Sequence, residues 1–553
     1  MAEAVQTAWV ERARTTGGLD HLGVRAPGIN IYGQLLPGIT NVTDRARYFS
    51  FYTWVIWKLD QTGQRAWNNE TRNLIRKADC LNTLIAEYHQ RNNEYANRSH
   101  SAATVGILTL GSRARSTQDG ELVDLAQHAQ LETTSERYFK NPFGGLGQYY
   151  VGSLRDMLIL GGDTKSGIRY SDGRGAVLAR AFDAGVDGDR FWQCLENEQV
   201  NQDDLEALVA FCPCGIPDNV EEQQVLSDIL FAKDEHSIDA DHIRRMSLQL
   251  ILSLAEAADS EALALTPELF RGAVYSGAMP SGAVWTLTET LDAVRARWAI
   301  YARNEVLAMA LQGIFYALLS FAETLTDRPA PGNSRELASW FVGSGIGKSV
   351  VEQFSSATWR DLVTHAKSTQ PELTSWDNDD HEVALMTQIE AFGQQPINDE
   401  IIGEIVQMGV QALAALAARQ VQEEDDYELL TFPAGYFDYF PLNLRAFRTL
   451  STNTWASESL ADWLSWVLVH WSTDAHLHVA LRKLRGQSED TFRIRPTDEG
   501  LLVVDDAPTP EHTNPRFRQA RQVLVDIGAL ESQGDDRFHV TAVGRSLMES
   551  AGD

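Results

Sequence analysis

The segment from Leu291 to Leu325 constrains this chain more than any other. One apolar row runs through Leu291, Val294, Trp298, Tyr301, Ala308, Phe315, Leu319 and Ala322, and a second through Leu307, Leu311, Ile314, Leu318 and Phe321. Spacings of three and four residues predict a helix, and two apolar rows predict one that is covered on more than one side. A helix of that kind needs other helices around it. The rest of the sequence supplies them: Asn69–Asn92, with Leu74, Ala78, Leu81, Ile85 and Tyr88 on one face, and further helices at Ile243–Ala258, Ile401–Val421 and Leu460–Leu484. With 553 residues, the length suits three to four domains.

Composition sets the class. Apolar residues make up 44% and charged residues 22%, as in ordinary globular proteins and not in tails or fibres. No uninterrupted apolar run reaches the roughly 18 residues of a membrane helix, and the N-terminus lacks an apolar signal core, so the expectation is a cytoplasmic protein without a membrane. Four cysteines, Cys80, Cys194, Cys212 and Cys214, are too few for a disulfide framework. The 47 Lys and Arg against 76 Asp and Glu leave a net charge of −29, a poor long-range attractor for a polyanion. Any nucleic-acid contact therefore has to be local.

The predicted fold is mainly α: a multi-domain helical body with one or two winged helix-turn-helix modules. The expected segments are 1–140, 141–185, 186–330, 331–425 and 426–553, the clearest break being the proline- and glycine-rich Thr326–Ser334. β-structure is local. Thr491–Arg495 and Leu501–Val504 flank a turn at Pro496–Gly500, and an acidic patch at Glu423–Asp426 precedes the aromatic run Phe432–Phe440.

At the C-terminus, Asn514 and Pro515 suit a helix start, and Phe517, Ala520, Leu524 and Ile527 form its stripe before Gly528 ends it. A leucine-ended turn, a polar turn at Gln533–Asp536, a strand at Arg537–Val540 and a helix opened by Thr541-x-x-Gly544-x-x-Leu547 follow. This order resembles the winged helix-turn-helix family. The resemblance implies that the helix before the wing faces a DNA major groove or, in large assemblies, packs on protein. The candidate nucleic-acid-binding residues are Arg482, Lys483, Arg485, Arg493, Arg495, Arg516, Arg518 and Arg521, set among many carboxylates. Phe143–Phe182 echoes the unit, with Asp172-x-x-Gly175-x-x-Leu178 matched to Thr541-x-x-Gly544-x-x-Leu547.

The stretch Gln34–Leu59 turns at Pro37-Gly38, with Thr43 or Asp44 as helix cap, and then carries Tyr48, Phe49, Phe51, Tyr52, Trp54 and Trp57. Arg45 and Arg47 beside these rings suit nucleotide stacking, but aromatics this dense more simply fill a core, with the arginines paired to carboxylates. The pattern LLPGxTxxTxRARYFxFxxW, with Trp298–Leu311 as a second segment, resembles large bacterial proteins associated with phage defence. That resemblance implies an antiviral role and protein partners in a defence complex, and carries over no catalytic residues.

No motif predicts an enzyme or a cofactor. Glu305 on the apolar stripe must be paired or protonated if buried; it suits a catalytic acid less well than a structural pair with Arg295, Arg297, Arg303 or an arginine from elsewhere in the chain. Cys194, Cys212 and Cys214, with His236 and His242, fit no zinc-finger spacing, so no metal site is predicted. His470, His476 and His478 read as packing residues. Gly343–Lys348 has the wrong glycine spacing for a phosphate loop and reads as a helix start. The leading expectation is a non-catalytic subunit of a defence complex that contacts a partner enzyme or double-stranded DNA. The alternatives are a metal-dependent nuclease with dispersed carboxylates and an oligomeric transcriptional regulator.

Overall fold

The computed structural model describes residues 20–64, 67–92, 100–116, 121–131, 139–163, 167–325, 328–420, 427–487 and 490–549. The acidic patch Glu423–Asp426 and part of the Thr326–Ser334 break lie outside the described residues. The fold is mainly α and forms two compact units that interleave along the chain. The first comprises Met1–Ile31, Arg271–Trp285 and Arg295–Thr513, and the second Tyr32–Phe270, Thr286–Val294 and Asn514–Asp553. The expected boundaries at 330 and 425 fall inside the first unit and those at 140 and 185 inside the second. The segment 426–553 is divided between them.

The dominant helix runs Glu289–Glu323, within two residues of expectation at either end; from Arg295 onward it belongs to the first unit, where it is buried almost all round as far as Phe321. Helices Glu382–Gly393 and Asp399–Gln420 pack on each other and reach the long helix at two glycines. A Cβ at Gly313 would lie 2.8 Å from Ile389, and one at Gly409 3.1 Å from Ile314. Trp359 and Trp463 stack at 4.3 Å, with Trp455 edge-on to both, as a second core. Among the described residues two helices, Glu289–Glu323 and Asp399–Arg419, are long and apolar enough to cross a membrane although no uninterrupted run is. Their apolar windows are 89% and 78% buried, the signature of core helices. The helix expected at Leu460–Leu484 runs on to Gln487 and contains a π-helical stretch, Val467–Thr473. The hairpin after it pairs Ile494–Thr497 with Gly500–Val503, so Pro496 belongs to a strand and the turn tightens to Asp498 and Glu499. Gly500 can follow so short a turn because it takes φ +118.

In the second unit, helix Arg47–Gln61 buries Tyr48, Phe49, Phe51, Tyr52 and Trp54 and packs chiefly on helix Arg174–Asp183. The aromatic run is a core. Neither Thr43 nor Asp44 caps this helix. Thr43 closes a local turn with Thr40, Asp44 accepts from Gln519, and Asp526 accepts the Ala46 N–H at 2.8 Å. A carboxylate there also meets the positive end of the helix dipole. Helix Asn69–Asn92, predicted to the residue, packs against Ile107–Ser116 and Leu125–Ala129.

The repeated pattern is a repeated backbone. Val151–Asp156, strands Leu160–Asp163 and Gly167–Tyr170, and Arg174–Asp183 form one helix–hairpin–helix. Phe517–Asp526, strands Leu530–Gly534 and Arg537–Val540, and Ala542–Glu549 form the other. Each first helix ends in the same paired turn. Leu158 N–H donates to Arg155 and Ile159 N–H to Leu154, as Gly528 does to Val525 and Ala529 to Leu524. One matched pair needs correction: the counterpart of Thr541 is Ser171, not Asp172. Both hydroxyls donate to the carbonyl of the left-handed residue, Gly528 or Leu158, and both backbone amides bond the next one, Ala529 or Ile159. The first module therefore has one more residue before its glycine. The start of the C-terminal helix also differs from expectation. Asn514 accepts from Arg516 N–H in a turn, and the residue that precedes the helix is Arg516, at φ +62, two positions after the expected cap.

Candidate functional site

Two groups of residues merit a functional reading, the basic set and a cluster of thiols and imidazoles. The structure divides the basic set. Arg482, Lys483, Arg485, Arg493 and Arg495 belong to the first unit, and Arg516, Arg518 and Arg521 to the second. Arg482 lies over the Tyr439 ring at 4.1 Å and donates to the Tyr439 carbonyl. Lys483 donates to the Asp20 carbonyl at 2.7 Å. Arg493 pairs with Asp505 at 2.8 Å and Arg495 with Asp490 at 2.5 Å. Arg516 reaches the carbonyls of Leu36 and Ile39 and covers the Tyr32 ring. Arg521 donates to the Leu265 carbonyl and pairs with Asp536. Arg485 and Arg518 are exposed.

The cluster was not anticipated. Cys212 and Cys214 lie not with Cys194, His236 or His242 but with His89 and His100, and the four ligand atoms lie within 4.8 Å of one another. All four residues belong to the second unit. His89 stands near the end of helix Asn69–Asn92, and the side chain of Gln90 beside it accepts the His100 N–H at 2.9 Å. The two imidazole rings sit 4.1 Å apart. Cys212, Pro213, Cys214 and Gly215 form a turn closed by Gly215 N–H to the Cys212 carbonyl, with proline at its favoured second position. That turn brings the two sulfurs to 3.4 Å.

Imidazole nitrogens face the sulfurs. His100 Nδ1 lies 3.0 Å from Cys214 Sγ and 3.6 Å from Cys212 Sγ, and His89 Nδ1 3.6 Å from Cys214 Sγ. Hydrogen bonding from Cys212 holds the Cys214 thiol well below its usual range, against burial and with help from His100 and His89. Burial drives Cys212 the other way.

Arg45 and Arg47 brace both loops. Arg45 donates to the carbonyls of His100 and Ala102 while pairing with Asp526 at 3.1 Å. Arg47 donates to the carbonyls of Ala210 and Cys212 while pairing with Glu222 at 3.0 Å. Gly215 has no Cβ to obstruct Arg47 Nη1. Both arginines have the acidic partners expected of core residues, and they also set the backbone that carries three of the four cluster side chains. A cavity of about 440 Å³, lined by Arg45, Cys214, Gln522 and Asp526 among others, opens beside the cluster.

The remaining sequence candidates have structural partners. Glu305 is buried with the Thr513 N–H at 2.9 Å and His512 at 3.5 Å, so its partners are these and not the neighbouring arginines on its helix. His476 is buried, its Nδ1–H donating to the His21 carbonyl and its Nε2 accepting from Arg493 N–H, and burial lowers its pKa to about 4. Ser344 caps helix Gly345–Gln353, so the Gly343–Lys348 run is a helix start. Compared with protein-family models, with curated proteins and with solved structures, the chain matches none.

Proposed function

We propose that this chain is a non-catalytic subunit of a bacterial antiviral defence complex, and that its winged-helix-like modules hold protein and do not read DNA. The LLPG segment supports the antiviral setting through its resemblance. One observation carries the choice of protein over DNA: apart from Arg518, the polar side chains of helix Phe517–Asp526 and of Arg516 before it are engaged within the second unit. Asp526 serves Arg45 and Ala46, Gln519 serves Asp44 and the Asn41 carbonyl, Arg516 serves the Leu36 and Ile39 carbonyls, and Arg521 serves Leu265 and Asp536. A helix entering a major groove must offer such groups to base edges and phosphates. Of the three basic residues proposed there, only Arg518 is exposed, and the chain carries −29.

Gel shift of the full chain on duplex DNA across a salt series tests this. The expected result is binding weaker than the roughly 10⁻⁶ M of ordinary non-specific binders even at about 50 mM salt. A salt-sensitive complex that Arg518→Ala weakens would restore the DNA reading. Deleting the gene from its native locus should raise phage plating, and unchanged plating would remove the antiviral half.

A further inference from the structure

We propose that His89, His100, Cys212 and Cys214 bind a divalent zinc ion in a closed, structural tetrahedral site. The donor set, two sulfurs and two imidazole nitrogens, is one that zinc takes in structural sites, and with four protein ligands no position remains for substrate.

The distances agree. Bonds of about 2.3 Å to sulfur and about 2.0–2.1 Å to nitrogen, at tetrahedral angles, separate sulfur from nitrogen by about 3.6 Å and sulfur from sulfur by about 3.8 Å. His89 to Cys214 and His100 to Cys212 already stand at 3.6 Å, while the two sulfurs at 3.4 Å and His100 to Cys214 at 3.0 Å need to open by only a few tenths of an ångström. A disulfide is a poorer account of the paired cysteines, because both are free and their sulfurs are far beyond the roughly 2.05 Å of an S–S bond.

His100 points the same way by a separate route. It is 2% exposed, and among the described residues its Nδ1 is within hydrogen-bonding reach of the two sulfurs alone and its Nε2 has no hydrogen-bond partner. Sulfur is a weak hydrogen-bond acceptor, so a buried imidazole with such company is poorly compensated unless its Nδ1 lone pair binds a cation. Binding requires both sulfurs as thiolates and both imidazoles neutral, and each thiol proton still present leaves to solvent as its sulfur–zinc bond forms. Two thiolates and one Zn²⁺ sum to no net charge, a form that burial tolerates. The cavity beside Cys214 gives the ion a way in.

The site would fasten the end of helix Asn69–Asn92 and the His100 loop to the Cys212–Gly215 turn, more than a hundred residues away in sequence. Arg45 and Arg47, in the RARYF segment, would then be its outer shell, holding the carbonyls of His100 and Cys212.

Metal content of the full chain, purified untagged and without chelator, is the test. The expected result is a single zinc per chain, lost in Cys212→Ser/Cys214→Ser and in His100→Ala, and kept in Cys80→Ala/Cys194→Ala and His236→Ala. Because the ligand variants may fail to fold, Co²⁺ is also added to the metal-stripped wild type. Thiolate-to-cobalt charge transfer in the near ultraviolet, with the intense red-region bands of a tetrahedral ion, is expected, and Zn²⁺ should displace both. A wild-type chain that binds neither metal overturns the proposal. So does zinc that survives Cys212→Ser/Cys214→Ser, or a Cys212–Cys214 disulfide in protein purified anaerobically.

Discussion

The two helix–hairpin–helix modules of the second unit share a backbone and differ in how they are fastened. In the module at Val151–Asp183, buried charge sits on the helix after the hairpin, where Arg174 pairs with Asp234 and Asp241 at 2.9 Å each. In the module at Phe517–Glu549 it sits on the helix before the hairpin, where Asp526 holds Arg45 and the Ala46 N–H. Asp156 occupies the place of Asp526 in the first module, at the last residue of the equivalent helix, yet it is exposed, with partial desolvation raising its pKa. The same turn geometry thus supports opposite attachments. A pattern that specifies backbone does not specify which surface remains free, and here the helix before the second hairpin has Gln519, Arg521 and Asp526 engaged within the unit.

The sharpest way to break the comparison is at these two aspartates. Asp526→Ala leaves Arg45 buried without its carboxylate and removes the cap of helix Arg47–Gln61, so it should cost about 3–5 kcal/mol of stability. Asp156→Ala removes no comparable partner and should cost well under about 1 kcal/mol. Urea titrations of both variants measure the difference. Equal losses would mean that the attachment through Asp526 contributes nothing special.

The next test asks whether the shared backbone is as rigid as it looks. A Cβ at Gly544 would come closer than 3.0 Å to the Ala529 carbonyl oxygen, and one at Gly175 equally close to that of Ile159. Neither oxygen is the end of a flexible side chain. Gly544→Ala and Gly175→Ala should therefore each cost about 2–3 kcal/mol, and by similar amounts. A neutral Gly175→Ala beside a damaging Gly544→Ala would show that the first module lacks the tight packing of the second.

Much of this was legible in the sequence, for definable reasons. Helix Asn69–Asn92 and the long helix at Glu289–Glu323 are found because their apolar spacing is strong and uninterrupted. The second module is found because Thr541, Gly544 and Leu547 are all present, and the first only loosely, because Ser171 stands one residue further from its glycine. The thiol–imidazole cluster is not legible. Cys212 and Cys214 are visible as a pair, but their companions are two histidines over a hundred residues upstream, and no spacing rule links them. Cys194 and His236, nearer in sequence, are elsewhere. What the sequence does carry is Arg45 and Arg47, whose place beside an aromatic helix becomes clear only when the carbonyls they hold are seen.

The smallest expected effect concerns the left-handed residue of the two shared turns. Gly528 at φ +75 and Leu158 at φ +56 hold the same left-handed position after the first helix. Glycine adopts that conformation freely, whereas an L side chain is strained there by about 1–2 kcal/mol. Gly528→Ala should cost about that much, and a Cβ at Gly528 would also stand 3.0 Å from Gln223 Nε2, which donates to the Ile527 carbonyl. The reverse change is not its mirror image. Leu158→Gly relieves the strain but frees the unfolded chain by about 0.5–1 kcal/mol, and it gives up the packing of a side chain that is 41% exposed. The net change should lie within about 1 kcal/mol of zero, on the stabilising side if Leu158 contributes little packing. Thermal melts of the two single variants decide it. A clear loss for Leu158→Gly would mean that Leu158 is kept for what its side chain touches, and the two turns would then be alike in backbone only.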